Sequence, residues 1–425
     1  MFKEIVCTLG VSLLASPFLT NAEPFQISSS RAEPTFAAGV LSEEGKYAVA
    51  WQGDGAEGWI VDNVGKQYKK IQTNTLSEKL KPSQILPLAD EQFLVVYNRI
   101  GYDGYGGYGQ IYDGNGIMLG ETVKLTEDIE ERVESTEDIW SAVLANGNVV
   151  ITWAEHHNNI YGDIQGATVY AQIFSPNLQK IGPPIKVSTD YSGSAISYRS
   201  DTRVTAFENG DFVVTFEANK FYGRRYTQSG YPKKNREFII GEKADVDHEP
   251  QLLTLSDSRY VVAWTVWTNR VFGERKTYIQ VLSENDVRLG EPYILTHNGN
   301  YRIEMEGLTK RSTRNFWVSY MFYQKGNYHL ATVPFRLEKD NTLAPAGETL
   351  LLEDDANSHD DEWYNFIPER SGILLNYRAN RYLNLSLDSD GRLSGEQLWT
   401  KDCEGGTGEW TQLCSSPAPQ NDDDL

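Results

Sequence analysis

Histidine and tyrosine side chains occur together in parts of this chain that lie near the ends of β-rich runs. His156 and His157 open a long polar segment that also contains Tyr161, and Tyr222 follows the next such run. β-Elimination at a uronic acid needs a group that neutralises the carboxylate, a base for the C5 proton and an acid for the leaving oxygen. We predict His156 or His157 as charge neutraliser or acid, and Tyr222 as base.

Basic residues are concentrated in the later half of the sequence. The segments 217–225, 265–277, 321–329 and 378–381 contain nine Lys or Arg residues but only two acids. Such a patch on an acidic protein is typical of a site for an anionic ligand, although some of these side chains could instead balance neighbouring charges. Aromatic faces beside charged donors suit a sugar ring. We therefore predict that substrate contacts come from Arg224, Arg225, Arg270, Tyr161, Trp267 and Arg378.

Acidic residues and the remaining histidines precede several of the same β-rich runs. Carboxylates at equivalent positions predict an acidic ring, which would cap strand ends or hold a structural divalent cation: Glu33, Glu137, Glu249, Glu304 and Glu362. All six histidines fall in connections that are expected to emerge on the same face of the propeller. Besides His156 and His157, they are His248, His297, His329 and His359. This residue set requires no cofactor. A further alternative is a glycoside hydrolase that uses two carboxylates of the acidic ring.

A repeated strand pattern must position these side chains. Seven runs end in an aromatic residue, at intervals of 46 to 63 residues: YAVAW, FLVVY, VVITW, FVVTF, YVVAW, FWVSY and ILLNY. Each is flanked by three further strand-like runs and by Gly or Asn turns. The pattern predicts an all-β, seven-bladed β-propeller of four-stranded antiparallel blades, closed by an N-terminal strand at Phe25–Ser29. Asp113–Gly116 and Asp388–Gly391 are interpreted as hairpin turns rather than calcium loops.

The repeat resembles those of secreted bacterial propeller proteins, and the architecture is similar to that of seven-bladed ulvan lyases. The resemblance rests on the aromatic-ended strand, the Gln-aromatic run and the Gly-rich turn across nearly the whole chain. It implies a lyase that cleaves a uronate-containing, ulvan-like polysaccharide by β-elimination. The alternatives are a non-catalytic carbohydrate-binding or adhesin-like propeller, and a scaffold that binds a partner.

Composition and the two ends of the chain indicate which partners the protein has and where it is located. A 40 % hydrophobic content excludes general disorder, and the net charge of −20 disfavours nucleic acid and anionic membranes as partners. Residues 1–22 have the parts of a signal peptide, which predicts a secreted or periplasmic monomer. Residues 23–402 form the propeller, and 403–425 form an acidic tail in which Cys403 and Cys414 are predicted to form a disulfide.

Overall fold

The computed structural model describes most of residues 36–398, and side-chain surroundings are described mainly for the second to sixth sheets. The positions between 36 and 398 that are not described are 43–45, 53–55, 63–66, 73–79, 100–105, 128–132, 159–163, 189–200, 219, 243–245, 256–257, 270–273, 298–302, 311, 325–326, 348, 357–364, 369–371, 378–380 and 388–392. The described residues contain strands and turns but no helix. None of them forms a helix that is long and apolar enough to cross a membrane.

The strands pair into antiparallel sheets whose members are consecutive in the chain. The first sheet comprises β1 (Phe36–Ser42), β2 (Lys46–Gln52), β3 (Ala56–Asp62) and β4 (Gln67–Lys70). The second comprises β5 (Leu80–Pro87), β6 (Phe93–Arg99), β7 (Gly106–Tyr112) and β8 (Met118–Lys124). The third comprises β9 (Val133–Val143), β10 (Val149–Asn158), β11 (Ile164–Phe174) and β12 (Lys180–Lys186).

Four further sheets continue the same order. The fourth comprises β13 (Arg203–Ala206), β14 (Phe212–Glu217), β15 (Phe221–Tyr226) and β16 (Phe238–Gly241). The fifth comprises β17 (Val246–Thr254), β18 (Tyr260–Asn269), β19 (Glu274–Leu282) and β20 (Arg288–Leu295). The sixth comprises β21 (Ile303–Lys310), β22 (Asn315–Gln324), β23 (Asn327–Leu337) and β24 (Leu343–Pro345), with β25 (Leu350–Ala356) also on β23. The seventh comprises β26 (Asn365–Pro368), β27 (Gly372–Tyr377), β28 (Arg381–Leu387) and β29 (Leu393–Leu398).

The first strands of successive sheets contact one another in a closed cycle, from β1 through β5, β9, β13, β17 and β21 to β26 and back to β1. The predicted all-β propeller class is confirmed by this arrangement. In the seventh sheet β29 pairs with β28 as the fourth strand. The predicted closing strand at Phe25–Ser29 lies outside the described residues.

The core lies between neighbouring sheets because alternate residues of a strand face opposite sides. On β10, Ile151 and Trp153 pack toward the second sheet, whereas Val150 and Ala154 pack toward the fourth. The side chain of Trp153 is fully buried in this interface. The aromatics that end the runs of the second to sixth sheets therefore fill space between sheets.

Short turns join the third and fourth strands of most sheets. At Asp113–Gly116 the Asp113 Oδ1 atom accepts hydrogen bonds from the backbone N–H groups of Asn115 and Ile117, at 2.9 and 2.8 Å. Gly116 has a φ of +75°, which favours glycine. The carboxylate thus holds the turn itself, and the interpretation as a hairpin turn is confirmed.

A repeated glutamine holds a bulge between the third and fourth strands. Gln172 Nε2 donates to the carbonyl oxygens of Ile173, Ile181 and Gly182, at 2.9, 3.1 and 3.2 Å. Gln110 and Gln280 bond in the same way in the second and fifth sheets. The Gln-aromatic pattern of the repeat is therefore structural.

We expect Gln172→Leu to lower the free energy of unfolding by about 1–3 kcal/mol, because it removes a buried donor shared by three carbonyl groups. Gln179→Leu is the control, since Gln179 is an exposed glutamine in the adjoining turn and surface changes of this kind cost less than about 0.5 kcal/mol. Urea denaturation of both variants measures the difference. Equal stabilities would contradict a structural role for the repeated glutamine.

Candidate functional site

The predicted histidines of the third sheet lie near the end of β10. His156 is buried, with an exposed fraction of 1 %. His157 is half-buried, and its Nε2 atom lies 3.0 Å from Thr168 Oγ1 on the neighbouring strand β11. Of the two, His157 has the more accessible position.

Tyr222 lies in the interface between the third and fourth sheets. Its ring stacks on Phe216 with centroids 5.7 Å apart, and it packs with Ala154 and Ala167 in one hydrophobic cluster. A general base must reach the proton that it removes, and only 4 % of Tyr222 is exposed. In this position the phenol ring lies within the interface, and the role of Tyr222 as base stays a prediction.

Arg224 and Arg225 are adjacent on β15 and therefore face opposite sheets. Arg224 Nη1 donates to the Val187 carbonyl oxygen at 3.0 Å and lies 3.8 Å from Glu237 Oε1. Both arginines are buried. Each guanidinium group bonds within the protein, and the role of these two arginines as substrate clamps stays a prediction.

The Arg225 side chain joins the fourth sheet to the fifth. Its Nε atom donates to Asp286 Oδ1 at 2.7 Å, and its guanidinium carbon lies 3.9 Å from the centroid of the Phe207 ring. Tyr260 Oη also donates to Asp286 Oδ1, at 3.2 Å, and burial raises the pKa of this phenol well above its usual value. Asp286 lies in the turn between β19 and β20, which is the end of the sheet opposite the predicted site.

The other predicted positions are only partly described. Trp267 is half-buried near the end of β18. The predicted binding residues Arg270, Tyr161 and Arg378 lie outside the described residues, as do Cys403 and Cys414 of the predicted disulfide.

A charged and aromatic corner is formed where the fifth and sixth sheets meet, and we call Trp267, Arg275 and Glu304 the arginine corner. The guanidinium carbon of Arg275 lies 4.1 Å from the centroid of the Trp267 ring. Arg275 also forms an ion pair with Glu304, and its side chain is 12 % exposed, compared with 8 % for Arg224. Arg275 and Glu304 lie near the beginnings of β19 and β21, at the same end of the sheets as the last residues of β18. The corner thus holds a cation against an aromatic face.

Beside it, two histidines stack on one aromatic ring, and we call His297, Tyr320, Phe322 and His329 the histidine stack. The rings of His297 and His329 have centroids 3.7 and 5.0 Å from that of Phe322. His297 Nδ1 lies 2.9 Å from Tyr320 Oη. Burial, followed by the charge of His329, lowers the pKa of His297 below its usual value. Burial raises the pKa of Tyr320 to about 12.

Most residues of the arginine corner and the histidine stack belong to groups predicted from the sequence, but the sequence did not predict that they lie together. Arg275 belongs to the basic segments, Glu304 to the predicted acidic ring, and His297 and His329 to the histidines assigned to one face. Phe322 gave no signal of its own beyond the repeat. The structure brings the groups together because β19, β20 and β21 are consecutive at the boundary between two sheets.

Within the described part of the chain, no group of three or more His, Cys, Asp or Glu side chains is arranged to hold a metal ion.

Comparisons with known proteins identify the fold. No protein-family model matches the chain, and no curated protein matches it. Among solved structures, the BP39L lectin from Burkholderia pseudomallei is similar with a TM-score of 0.57 at 10 % identity, covering 86 % of this chain and 98 % of the lectin. An ulvan lyase bound to -[GlcA(1-4)Rha3S]- is similar with a TM-score of 0.51 at 10 % identity, covering 86 % of this chain and 95 % of the lyase. At this identity the two likenesses show a shared fold.

Proposed function

We propose that this protein is a carbohydrate-binding propeller that takes an anionic polysaccharide at the arginine corner. The observation that carries the proposal is the position of Arg275, whose guanidinium group lies over the Trp267 ring and pairs with Glu304. An indole face and a fixed cation match the two parts of an acidic sugar, its C–H surface and its carboxylate or sulfate. The fold shared with a lectin and an ulvan lyase supports a sugar as the ligand class.

Binding is favoured over catalysis because a binding site needs no proton transfer and no cofactor. Tyr222 packs between sheets, and the buried Arg224 and Arg225 bond within the protein. Their predicted roles in catalysis and substrate binding stay predictions, and the proposed binding at the arginine corner does not depend on them. The arginine corner instead offers a cation that is already oriented before a ligand arrives, which reduces the entropy lost on binding.

The setting of this activity is proposed from the sequence. Residues 1–22 would export the chain to the periplasm or the exterior, where Cys403 and Cys414 would be oxidised. Polysaccharides are available in both places to a monomeric binding protein. The net charge of −20 would keep nucleic acids and anionic membranes away.

We expect Arg275→Ala to weaken the binding of short sulfated or uronate oligosaccharides by about tenfold to a hundredfold, since a charge-assisted contact is worth roughly 1.5–3 kcal/mol. Isothermal titration calorimetry measures the affinity. Arg336→Ala is the matched control, because Arg336 is an exposed arginine of the sixth sheet that also pairs with a glutamate, Glu338, at 3.3 Å. Equal affinities of the two variants, or no binding of acidic sugars by the unmodified protein, would contradict the proposal.

A lyase is the second candidate, and the contact of His297 with Tyr320 is the observation that favours it. An imidazole and a phenol 2.9 Å apart are groups that could transfer protons in β-elimination. A pKa of about 12 makes Tyr320 a poor base at neutral pH, because almost none of the phenol is then ionised. Incubation with uronate polysaccharides tests this function, since elimination creates an unsaturated product that absorbs at roughly 235 nm.

A further inference from the structure

The fourth sheet departs from the other sheets at the connection between its third and fourth strands. In the second, third, fifth and sixth sheets this connection has five residues, at 113–117, 175–179, 283–287 and 338–342. In the fourth sheet it has eleven, 227–237, and we call this segment the basic hairpin. Its first part keeps the common turn, with the Thr227 N–H donating to the Tyr231 carbonyl at 2.8 Å. The additional residues therefore follow Tyr231.

The added part of the basic hairpin is cationic and aromatic. Tyr231 has an exposed fraction of 73 %, the highest among the exposed large hydrophobic residues. It is followed by Pro232, by Lys233 and Lys234, and then by Arg236, which is also exposed. This composition is unusual on a chain with a net charge of −20.

The sheets beneath hold the basic hairpin in place. The Lys233 N–H donates to the Arg225 carbonyl at 2.9 Å, and Tyr226 forms a β-bridge with Pro232. Lys233 Nζ lies 3.2 Å from Asp211 Oδ2, and Lys234 Nζ lies 3.7 Å from Asp286 Oδ2. These two aspartates are the carboxylates nearest the Arg225 guanidinium group, at 4.0 and 2.7 Å. The buried arginine and the lysines therefore share the same two anions.

The charges around the basic hairpin do not cancel. Arg225, Lys233 and Lys234 supply three positive charges against the two negative charges of Asp211 and Asp286, and Arg236 adds a fourth positive charge. Glu237 lies beside Arg224. A fixed cationic surface with an exposed phenol ring results, at the end of the sheets opposite the arginine corner.

We propose that the basic hairpin is a second binding site, which takes a segment of an acidic polysaccharide chain. The Tyr231 ring supplies a face for a sugar, and Lys233, Lys234 and Arg236 supply partners for its sulfate or carboxylate groups. The anchoring of the segment means that little chain entropy is lost on binding. This site does not depend on the arginine corner. The two sites lie at opposite ends of the sheets, and a polymer chain can bind at one without the other.

The test uses dextran sulfate as the acidic polymer and unsulfated dextran as the neutral one. We expect the double variant Y231S/R236S to bind dextran sulfate about tenfold more weakly in the Arg275→Ala background, where the arginine corner no longer contributes. Lys233 and Lys234 stay unchanged, so the contacts with Asp211 and Asp286 are kept. The control R336S/K339S changes two exposed residues at the corresponding end of the sixth sheet and should bind like the unmodified protein.

The outcomes separate this proposal from the proposed function. Weaker binding by Y231S/R236S in the Arg275→Ala background, with an unchanged melting temperature, supports the second site. Affinity within about twofold of Arg275→Ala alone, or equal binding to dextran and dextran sulfate, overturns it. If Arg275→Ala alone removes all binding of dextran sulfate, the second site is overturned while the arginine corner stands.

Discussion

Arg225→Met is expected to lower the free energy of unfolding by about 3–5 kcal/mol, because it removes the buried cation nearest to Asp286 and leaves this carboxylate only the more distant Lys234. Asp286 is 7 % exposed and accepts hydrogen bonds from both Arg225 and Tyr260. Methionine is similar in length to arginine but cannot donate to the carboxylate. Urea denaturation monitored by tryptophan fluorescence measures the loss.

Two further variants make this result specific. R225M/D286N should recover part of the lost stability, since asparagine removes the buried charge and tolerates the φ of 61° found at position 286. Arg288→Met removes a more exposed arginine that pairs with Glu242 at 3.2 Å, and should cost less than about 1 kcal/mol. A similar loss for Arg225→Met and Arg288→Met would contradict the structural role of Arg225.

Affinity for acidic oligosaccharides is expected to rise roughly tenfold to a hundredfold as the pH falls from neutral through the lowered pKa of His297, because this imidazole gains a charge. Its pKa lies below the usual value, owing to burial and to His329, so the imidazole is neutral at the higher pH. A bound anion favours the protonated ring. Binding and protonation therefore strengthen each other, and calorimetry across this range measures the effect.

Acid has the opposite effect on the free protein. The folded state holds His297 at a lowered pKa, so the unfolded chain takes up the proton first and stability falls as the pH drops below the usual value of this group. His297→Gln should remove much of the pH dependence of binding. His157→Gln is the control, as a half-buried histidine bonded to Thr168 in the third sheet. An unchanged pH dependence in His297→Gln would contradict this role.

The strands and their core faces could be predicted from the sequence because alternation and terminal aromatics recur in every sheet. Trp153 and Phe216 fill the interfaces as this pattern requires. The repeat also indicates which positions of the third strand Arg224 and Arg225 occupy. Pairing of Phe212 with Tyr226, and of Phe93 with Tyr112, aligns Arg224 with the buried Gln110 and Arg225 with Ile111.

The candidate site could be predicted only in part, since its contacts join residues that are distant in the sequence. Loop class placed His297 and His329 on one face, but nothing in the sequence specified that Phe322 would lie against both rings. Arg275 and Glu304 were assigned to separate charged groups, and their ion pair depends on how two sheets meet. Packing between sheets is set by side-chain shape across the whole interface, which a single repeat does not encode.

The closed cycle formed by the first strands of the sheets has a consequence for the cooperativity of unfolding. In an open array of repeats, a weakened interface lets the parts on either side unfold independently. Here β1 also contacts β26, so the sheets on either side of the Arg225 interface remain joined around the ring. Damage at one interface is therefore expected to shift a single unfolding transition to lower denaturant concentration, rather than to divide it into two.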